Sequence, residues 1–100
     1  MIARTWRGAV AAQDLDAYLE VLDRTGVAEC KATPGNRGVT VLTQPREDVV
    51  EILFMSFWDD QDAVRAFAGE EFSRAVFYPE DERYLVEKDL HVDHWTVQRS

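Results

Sequence analysis

The sequence predicts an α+β fold in which one four-stranded antiparallel sheet carries helices on one of its faces. The run from Ile52 to Trp58 is apolar at both odd and even positions, so neither side of that strand can face water. Apolar residues recur at helical spacing after Asp14 and again after Asp59, whereas other apolar segments alternate as in strands. A short chain with a sheet apolar on both sides needs helices on one side and a second cover on the other.

The first part of the chain predicts a strand and a helix. Large side chains alternate along residues 1–8, and Gly8 permits a turn after that first strand. After Asp14, apolar residues recur at i, i+3, i+4 and i+7, which predicts an amphipathic helix. We expect Gly26 to end or bend this helix.

The middle of the chain predicts a hairpin followed by two helices. The short β-branched segment Val39–Thr43 is joined to the apolar run by a turn at residues 44–48, so the second and third strands should pair antiparallel. Asp59 can cap a helix that ends at Gly69. The spacing of Phe72, Ala75 and Val76 then predicts a second short helix that stops by Pro79.

The last part of the chain predicts an irregular charged segment and one final strand. Residues 79–89 are charged, and alternation returns from His91 to Arg99. The resulting order, βαββαβ, specifies a ferredoxin-like sandwich that spans residues 1–100 as a single domain. Because the third strand is apolar on both sides, we expect a second copy to cover the open face and form a homodimer. The alternative is a monomer that keeps a hydrophobic open face.

Composition excludes several classes of partner. The net charge of -8 and the pI near 4.6, with only two lysines, disfavour binding to nucleic acid and to anionic membranes. No apolar stretch approaches the roughly 20 residues that span a bilayer. The single cysteine, Cys30, cannot form an internal disulfide, and no secretory pattern precedes the first strand. We therefore expect a soluble cytoplasmic protein.

Two histidines are the only side chains with an ordinary pKa near neutrality, and neither is part of a metal motif. His91 and His94 are three residues apart, a spacing that sends them to opposite faces of an extended strand. This argues against a shared metal ion, and no zinc, hydrolase or phosphate-loop motif occurs elsewhere. Either histidine could be a general base or a structural residue of the sheet, and His94 is the preferred base because it lies deeper in the strand.

Aromatic residues and one arginine are the candidates for binding a small molecule. A flat ligand could be lined by aromatic side chains that otherwise fill the core, namely Trp6, Phe54, Trp58, Phe67 and Phe77. Arg4 lies in a strand that should be covered, so it must pair with an acid, reach the sheet edge or meet an anionic ligand.

Four segments carry a resemblance to a known family. They are Met1–Trp6, the turn Ala32–Gly38, Phe57–Trp58 with the helix up to Gly69, and His94–Val97. In this layout the chain resembles the antibiotic biosynthesis monooxygenase superfamily over nearly its whole length. The resemblance implies a dimeric α/β barrel. Superfamily members include cofactor-independent monooxygenases that oxidise polycyclic phenols to quinones, haem-degrading enzymes, and small proteins of unassigned role.

The haem-degrading branch of this superfamily uses an asparagine, a tryptophan and an iron-binding histidine. Aligned without gaps from Trp58, the tryptophan position falls on Phe67 and the histidine position on Phe77, while the asparagine position falls near Thr5. All three residues are replaced. The resemblance therefore does not extend to haem oxygenation, and we expect no cofactor.

Two functions follow from the resemblance. The first is a cofactor-independent monooxygenase acting on an aromatic or polyketide-like small molecule, with His94 as base, Trp58 and Phe67 as walls and Arg4 as anion partner. The second is a non-enzymatic small-ligand-binding or accessory dimeric α/β-barrel protein. A closed aromatic pocket that touches His94 would favour the enzyme, and a solidly packed interior would favour the second function.

Overall fold

The computed structural model describes residues 1–100 and has the predicted α+β architecture. A 3₁₀ turn at residues 12–14 and a π-helical segment at residues 23–27 flank the first helix. The strands and α-helices, in chain order, are β1 (Ile2–Ala11), α1 (Leu15–Leu22), α2 (Ala28–Ala32), β2 (Asn36–Arg46), β3 (Val49–Trp58), α3 (Gln61–Ala68), α4 (Asp81–Tyr84), β4 (Leu85–Lys88) and β5 (Asp93–Thr96). None of these helices has the length and apolarity needed to cross a membrane.

The sheet is antiparallel throughout, with β3 and β1 at its centre. The strand order is β2-β3-β1-β4, and β5 also pairs with β1. The predicted hairpin between β2 and β3 is confirmed. Within the sheet, Trp6 pairs with Phe54 on β3, and Arg4 pairs with His94 on β5. Cross-strand partners share a face, so this register places chemically important side chains next to each other.

The outer edge of the sheet differs from the prediction, because two strands share it. A single last strand over residues 91–99 was expected, but β5 covers only four residues and pairs with Ile2–Thr5 of β1. The other half of β1 pairs with β4, in the segment predicted to be irregular. β1 has ten residues, and the four residues of β5 can form hydrogen bonds with only part of its backbone. A fifth strand, β4, pairs with the remaining part of β1.

The prediction of a second short helix at Phe72–Val76 is wrong. Residues 69–80, which we call the cleft segment, have no helix, and Arg74 forms an isolated β-bridge with His91. The amide of Ala75 donates to the carbonyl of Leu90, and the amide of Val92 donates to the carbonyl of Ser73. These long-range hydrogen bonds occupy the backbone groups that a helix would have used, so tertiary pairing overrides the local spacing.

Both predicted helix boundaries near α3 are close to the observed ones. The helix ends at Gly69, whose φ of 87° suits glycine. Its cap is Asp60 rather than Asp59, because the Asp60 carboxylate accepts from the Ala63 amide at 2.9 Å. Asp59 is instead paired with Arg37. Gly26 does not end the first helical region, which continues through the π-helical segment into α2.

The two faces of β3 have different surroundings, as its double apolarity predicted. Ile52, Ser56 and Trp58 are buried under the helices. Leu53, Met55 and Phe57 are half-buried and line a broad groove of about 970 Å³ on the opposite face, which we call the open face. The helices therefore cover one side of the sheet only.

Candidate functional site

A narrow cleft lies between the sheet and the helical layer, and we call it the helix-side cleft. Its free volume is about 50 Å³. β1 and β3 supply its floor, because alternate residues of these strands face the helices. The cleft is lined by Arg4, Trp6, Tyr18, Leu22, Gly26, Phe54, Ser56, Phe67, Ala75, Val76, Phe77, Tyr78, Asp81 and Val92.

The residues predicted to form a site lie together at this cleft. Trp58 is fully buried and stacks on Phe67 with a ring separation of 5.5 Å. His94 is not one of the lining residues but contacts Arg4, which is. The remaining five predicted residues line the cleft directly: Arg4, Trp6, Phe54, Phe67 and Phe77.

Arg4 is a buried cation without a carboxylate partner. Only 5% of the residue is exposed, and no carboxylate oxygen lies within 4.0 Å of its nitrogens. Its guanidinium donates to the carbonyls of Phe72 and Arg74, and lies over the Phe67 ring at 5.9 Å. Burial lowers the pKa of Arg4 to about 10, so it is still charged at neutral pH. The sequence allowed three environments for Arg4: an acidic partner, the sheet edge or an anionic ligand. The first of these, an acidic partner, is absent.

His94 accepts a hydrogen bond from Arg4, and this fixes its protonation. Nη1 of Arg4 lies 3.0 Å from Nε2 of His94. A guanidinium has no acceptor, so Nε2 must accept, and the ring proton is on Nδ1. Burial lowers the pKa of His94, and the charge of Arg4 lowers it further, against an opposing effect of Asp93. His94 is neutral in this arrangement, and the lone pair that a base would use is engaged.

His91 lies away from the cleft. It precedes β5, is exposed, and forms the bridge with Arg74. The sequence predicted that both histidines lie in the last strand, but only His94 is within β5. No group of three or more His, Cys, Asp or Glu residues is arranged to hold a metal ion.

Tyr18 and Asp81 line the cleft but were not predicted to belong to a site. The Tyr18 hydroxyl donates to Oδ1 of Asp81 at 2.9 Å, and the Tyr78 amide donates to Oδ2 at 2.8 Å. Asp81 is 5% exposed and has no Lys or Arg within 4.0 Å. The two residues are 63 positions apart. Tyr18 belongs to the amphipathic helix predicted after Asp14 and Asp81 to the segment 79–89 predicted to be irregular, so no local pattern linked them.

Two of the three positions matched to the haem-degrading branch lie at the cleft, and the third lies on the opposite face of the sheet. Phe67 and Phe77 line the helix-side cleft, and Phe77 makes an edge contact with Trp6. Thr5 points to the open face, where its hydroxyl accepts from the Trp95 indole at 3.0 Å. Its neighbours Arg4 and Trp6 are the residues of β1 that line the cleft.

Cys30 is part of the core beside the cleft. It is completely buried together with Trp58 and Val64. Burial raises the pKa of its thiol to about 12, against the opposing charge of Arg4. The thiol is therefore neutral and packs as a small apolar group.

Comparison with solved structures supports the fold over the whole chain. A candidate antibiotic biosynthesis monooxygenase from Bacillus cereus superposes with a TM-score of 0.70 and 18% identity, over 100% of this chain and 94% of that one. SnoaB, a cofactor-independent oxygenase from Streptomyces nogalater, gives 0.65 and 18%, over 99% and 95%. A NIPSNAP domain protein from Burkholderia xenovorans gives 0.63 and 15%, over 97% and 94%.

Comparison of sequences identifies the family. No curated protein matches the chain. The sequence model of the family described as antibiotic biosynthesis monooxygenase matches residues 1–77, which include β1, the hairpin, α3 and most of the cleft segment. The chain therefore belongs to the antibiotic biosynthesis monooxygenase family.

Proposed function

We propose that the chain is a cofactor-independent monooxygenase that oxidises an aromatic or polyketide-like small molecule in the helix-side cleft. The observation that carries this proposal is Arg4, a buried cation with no carboxylate partner among aromatic side chains. A buried charge without a partner costs several kcal/mol, so an anionic ligand is a fitting counterion. Membership of the family, and the similarity to a cofactor-independent oxygenase, support the same reaction class.

In the proposed reaction, the substrate itself supplies the electrons. A phenolate or enolate lies against Arg4, and its electron-rich carbon forms a bond to molecular oxygen. The O–O bond then breaks, and water leaves with the hydrogens of the substrate C–H and O–H groups. One oxygen atom remains in the quinone product and the other is in the water. Arg4 stabilises the anion, while the aromatic walls exclude water and orient the ring.

His94 is the proposed proton acceptor for the substrate. While Arg4 donates to Nε2, this nitrogen cannot take a proton. When the Nη1 group of Arg4 turns to a substrate oxygen, the Nε2 lone pair is released beside that oxygen. Substrate binding and activation of the base are thus the same event in this proposal.

The proposed assembly is a homodimer through the open face. Its groove combines half-buried apolar side chains with charges of both signs, among them Arg7, Arg99, Glu51 and Asp93. A symmetric interface requires one surface to complement itself; Arg7 and Glu51 already pair within the chain at 3.1 Å, and Arg99 of one copy can pair with Asp93 of the other. A second copy would also cover Trp95, which is 58% exposed on this face.

A specific observation favours a second candidate function, a non-enzymatic ligand-binding or accessory protein. The helix-side cleft has only about 50 Å³ of free volume. An apolar cavity that holds benzene has about 150 Å³, so a ring can enter only if side chains such as Phe77 move outward. A cleft that stays closed would leave the fold without a substrate site.

Oxygen uptake distinguishes the two functions. The purified chain, treated with a chelator and free of flavin, is mixed with 1,5-dihydroxynaphthalene in an oxygen-electrode cell. Monooxygenation consumes equal amounts of oxygen and substrate and yields 5-hydroxy-1,4-naphthoquinone and water. Arg4→Gln should reduce the rate by roughly 10²-fold, the usual effect of losing an oxyanion-stabilising group. Arg37→Gln, which changes an exposed arginine, is the control. Uptake no faster than in a protein-free cell would favour the second function.

A further inference from the structure

Tyr18 and Asp81 form a second polar site in the helix-side cleft. Both are buried, at 1% and 5% exposure, and both line the cleft. The Asp81 carboxylate has no cation within 4.0 Å, so Arg4 does not neutralise it. The cleft therefore contains one unpaired buried cation and one unpaired buried carboxylate, each held only by neutral groups.

The hydrogen bonds at this second site determine that it accepts, rather than donates, a hydrogen bond from a ligand. Tyr18 donates its only proton to Oδ1 of Asp81, and Oδ2 is held by the Tyr78 amide. Burial raises the pKa of Tyr18, as does the adjacent carboxylate, so the phenol keeps its proton. The lone pairs of the Tyr18 oxygen remain to accept a hydrogen bond. Arg4, by contrast, can only donate.

We infer that the ligand of this cleft carries two polar groups of opposite kind. An anionic or carbonyl oxygen faces Arg4, and an O–H or N–H donor faces Tyr18. A dihydroxyaromatic or hydroxyketone meets both demands, whereas a ligand with an ether oxygen at the second position does not. This inference deepens the proposed function and rests on it only in taking the cleft as the ligand site.

A pair of matched ligands tests the polarity without relying on turnover. 1,5-dihydroxynaphthalene and 5-methoxy-1-naphthol differ only in the donor of the second hydroxyl. Their dissociation constants are measured by calorimetry under nitrogen, so that oxidation cannot contribute. The wild-type protein should bind the dihydroxy compound at least about tenfold more tightly, as expected for a hydrogen bond within a charged network.

Two variants separate polarity from the larger size of the methoxy group. Asp81→Asn keeps the shape of the side chain, but its amide group would donate to the Tyr18 oxygen and leave the Tyr18 proton free for the ligand. The preference should then disappear or reverse. Tyr84→Phe, which deletes the hydroxyl of a tyrosine packed against Tyr18 but outside the cleft lining, should leave it unchanged.

Each outcome bears on the inference in a defined way. Equal binding of both ligands to the wild type, or an unchanged preference in Asp81→Asn, would overturn it while leaving the oxygenase proposal intact. Failure of the wild type to bind either naphthol would overturn both. Selective binding that depends on Asp81, without any oxygen uptake in air, would support the inference and refute the oxygenase.

Discussion

Nη1 of Arg4 lies 3.0 Å from Nε2 of His94, on adjacent strands and at directly paired positions. The pairing keeps a permanent cation against an uncharged imidazole in a buried place. Protonation of His94 would turn this hydrogen bond into a contact between two cations. The state of His94 and the position of Arg4 are therefore coupled.

This coupling predicts that stability falls on acidification above the carboxylate range. The pKa of His94 is lowered in the folded state, first by burial and then by Arg4, from an ordinary value of 6.5. Below 6.5 the unfolded chain therefore binds a proton that the folded chain resists. The contribution of the neutral ring is present above that value and is lost as the pH falls toward the folded-state pKa.

Urea unfolding between about pH 5.5 and 7.5 measures this effect. His94→Gln keeps an oxygen that can accept from Arg4 but cannot titrate, so its free energy of unfolding should vary less with pH than that of the wild type. His91→Gln, at the exposed histidine, should follow the wild-type curve. Identical curves for the wild type and His94→Gln would contradict the coupling.

If the chain is an oxygenase, its activity should depend on His94 more than on His91. His94 contacts the only cation of the cleft, whereas His91 is exposed outside it. Loss of an acid–base group typically reduces a rate by 10²-fold or more, so His94→Ala should lose about this much oxygen uptake with an electron-rich phenol. His91→Ala is the matched control. Full activity of a folded His94→Ala protein would assign this residue to structure.

A charge introduced on β3 should have an effect that depends on the face it occupies. Phe57→Asp places a carboxylate on the open face, so it should dissociate the proposed dimer into folded monomers. Phe54→Asp places it against the core under the helices, so it should lower the free energy of unfolding by several kcal/mol.

Light scattering at micromolar concentration and urea unfolding separate these effects. Ala66→Asp, at an exposed position of α3, is the control and should change neither property. A wild-type protein that is a stable folded monomer would refute the dimer. Wild-type behaviour of Phe54→Asp would show that this face of β3 is not buried.

Haem should not bind as a substrate or a firm prosthetic group. The gap-free count from Trp58 puts Phe77 at the position of the iron-binding histidine of the haem-degrading branch, and no histidine lines the helix-side cleft. Titration with haem should give no saturable Soret shift at one haem per chain. An axial-histidine spectrum that disappears in His94→Ala or His91→Ala would contradict this prediction and identify the ligand.

Local patterns in the sequence were sufficient for most of the secondary structure. The double apolarity of β3 follows from the two-residue period of a strand, and it predicted that both faces of the strand are covered. The end of α3 at Gly69 follows from the conformational freedom of one residue. The aromatic residues proposed for a ligand site reached one cleft because alternation had already placed Trp6 and Phe54 on the same face.

The rest was decided by contacts between distant segments. Phe72–Val76 has helical spacing, but its backbone pairs with residues 90–92 instead. Arg4 and His94 are 90 residues apart, and Tyr18 and Asp81 are 63 apart, so no local period relates their side chains. The sequence alone therefore determined β1, β2 and β3, the division of β3 into two faces and the fold class, because these depend on interactions between near neighbours. Only the tertiary structure decided that Arg4 lacks an acid, that His94 is engaged and that Asp81 enters the cleft, because these depend on which distant groups share a buried space.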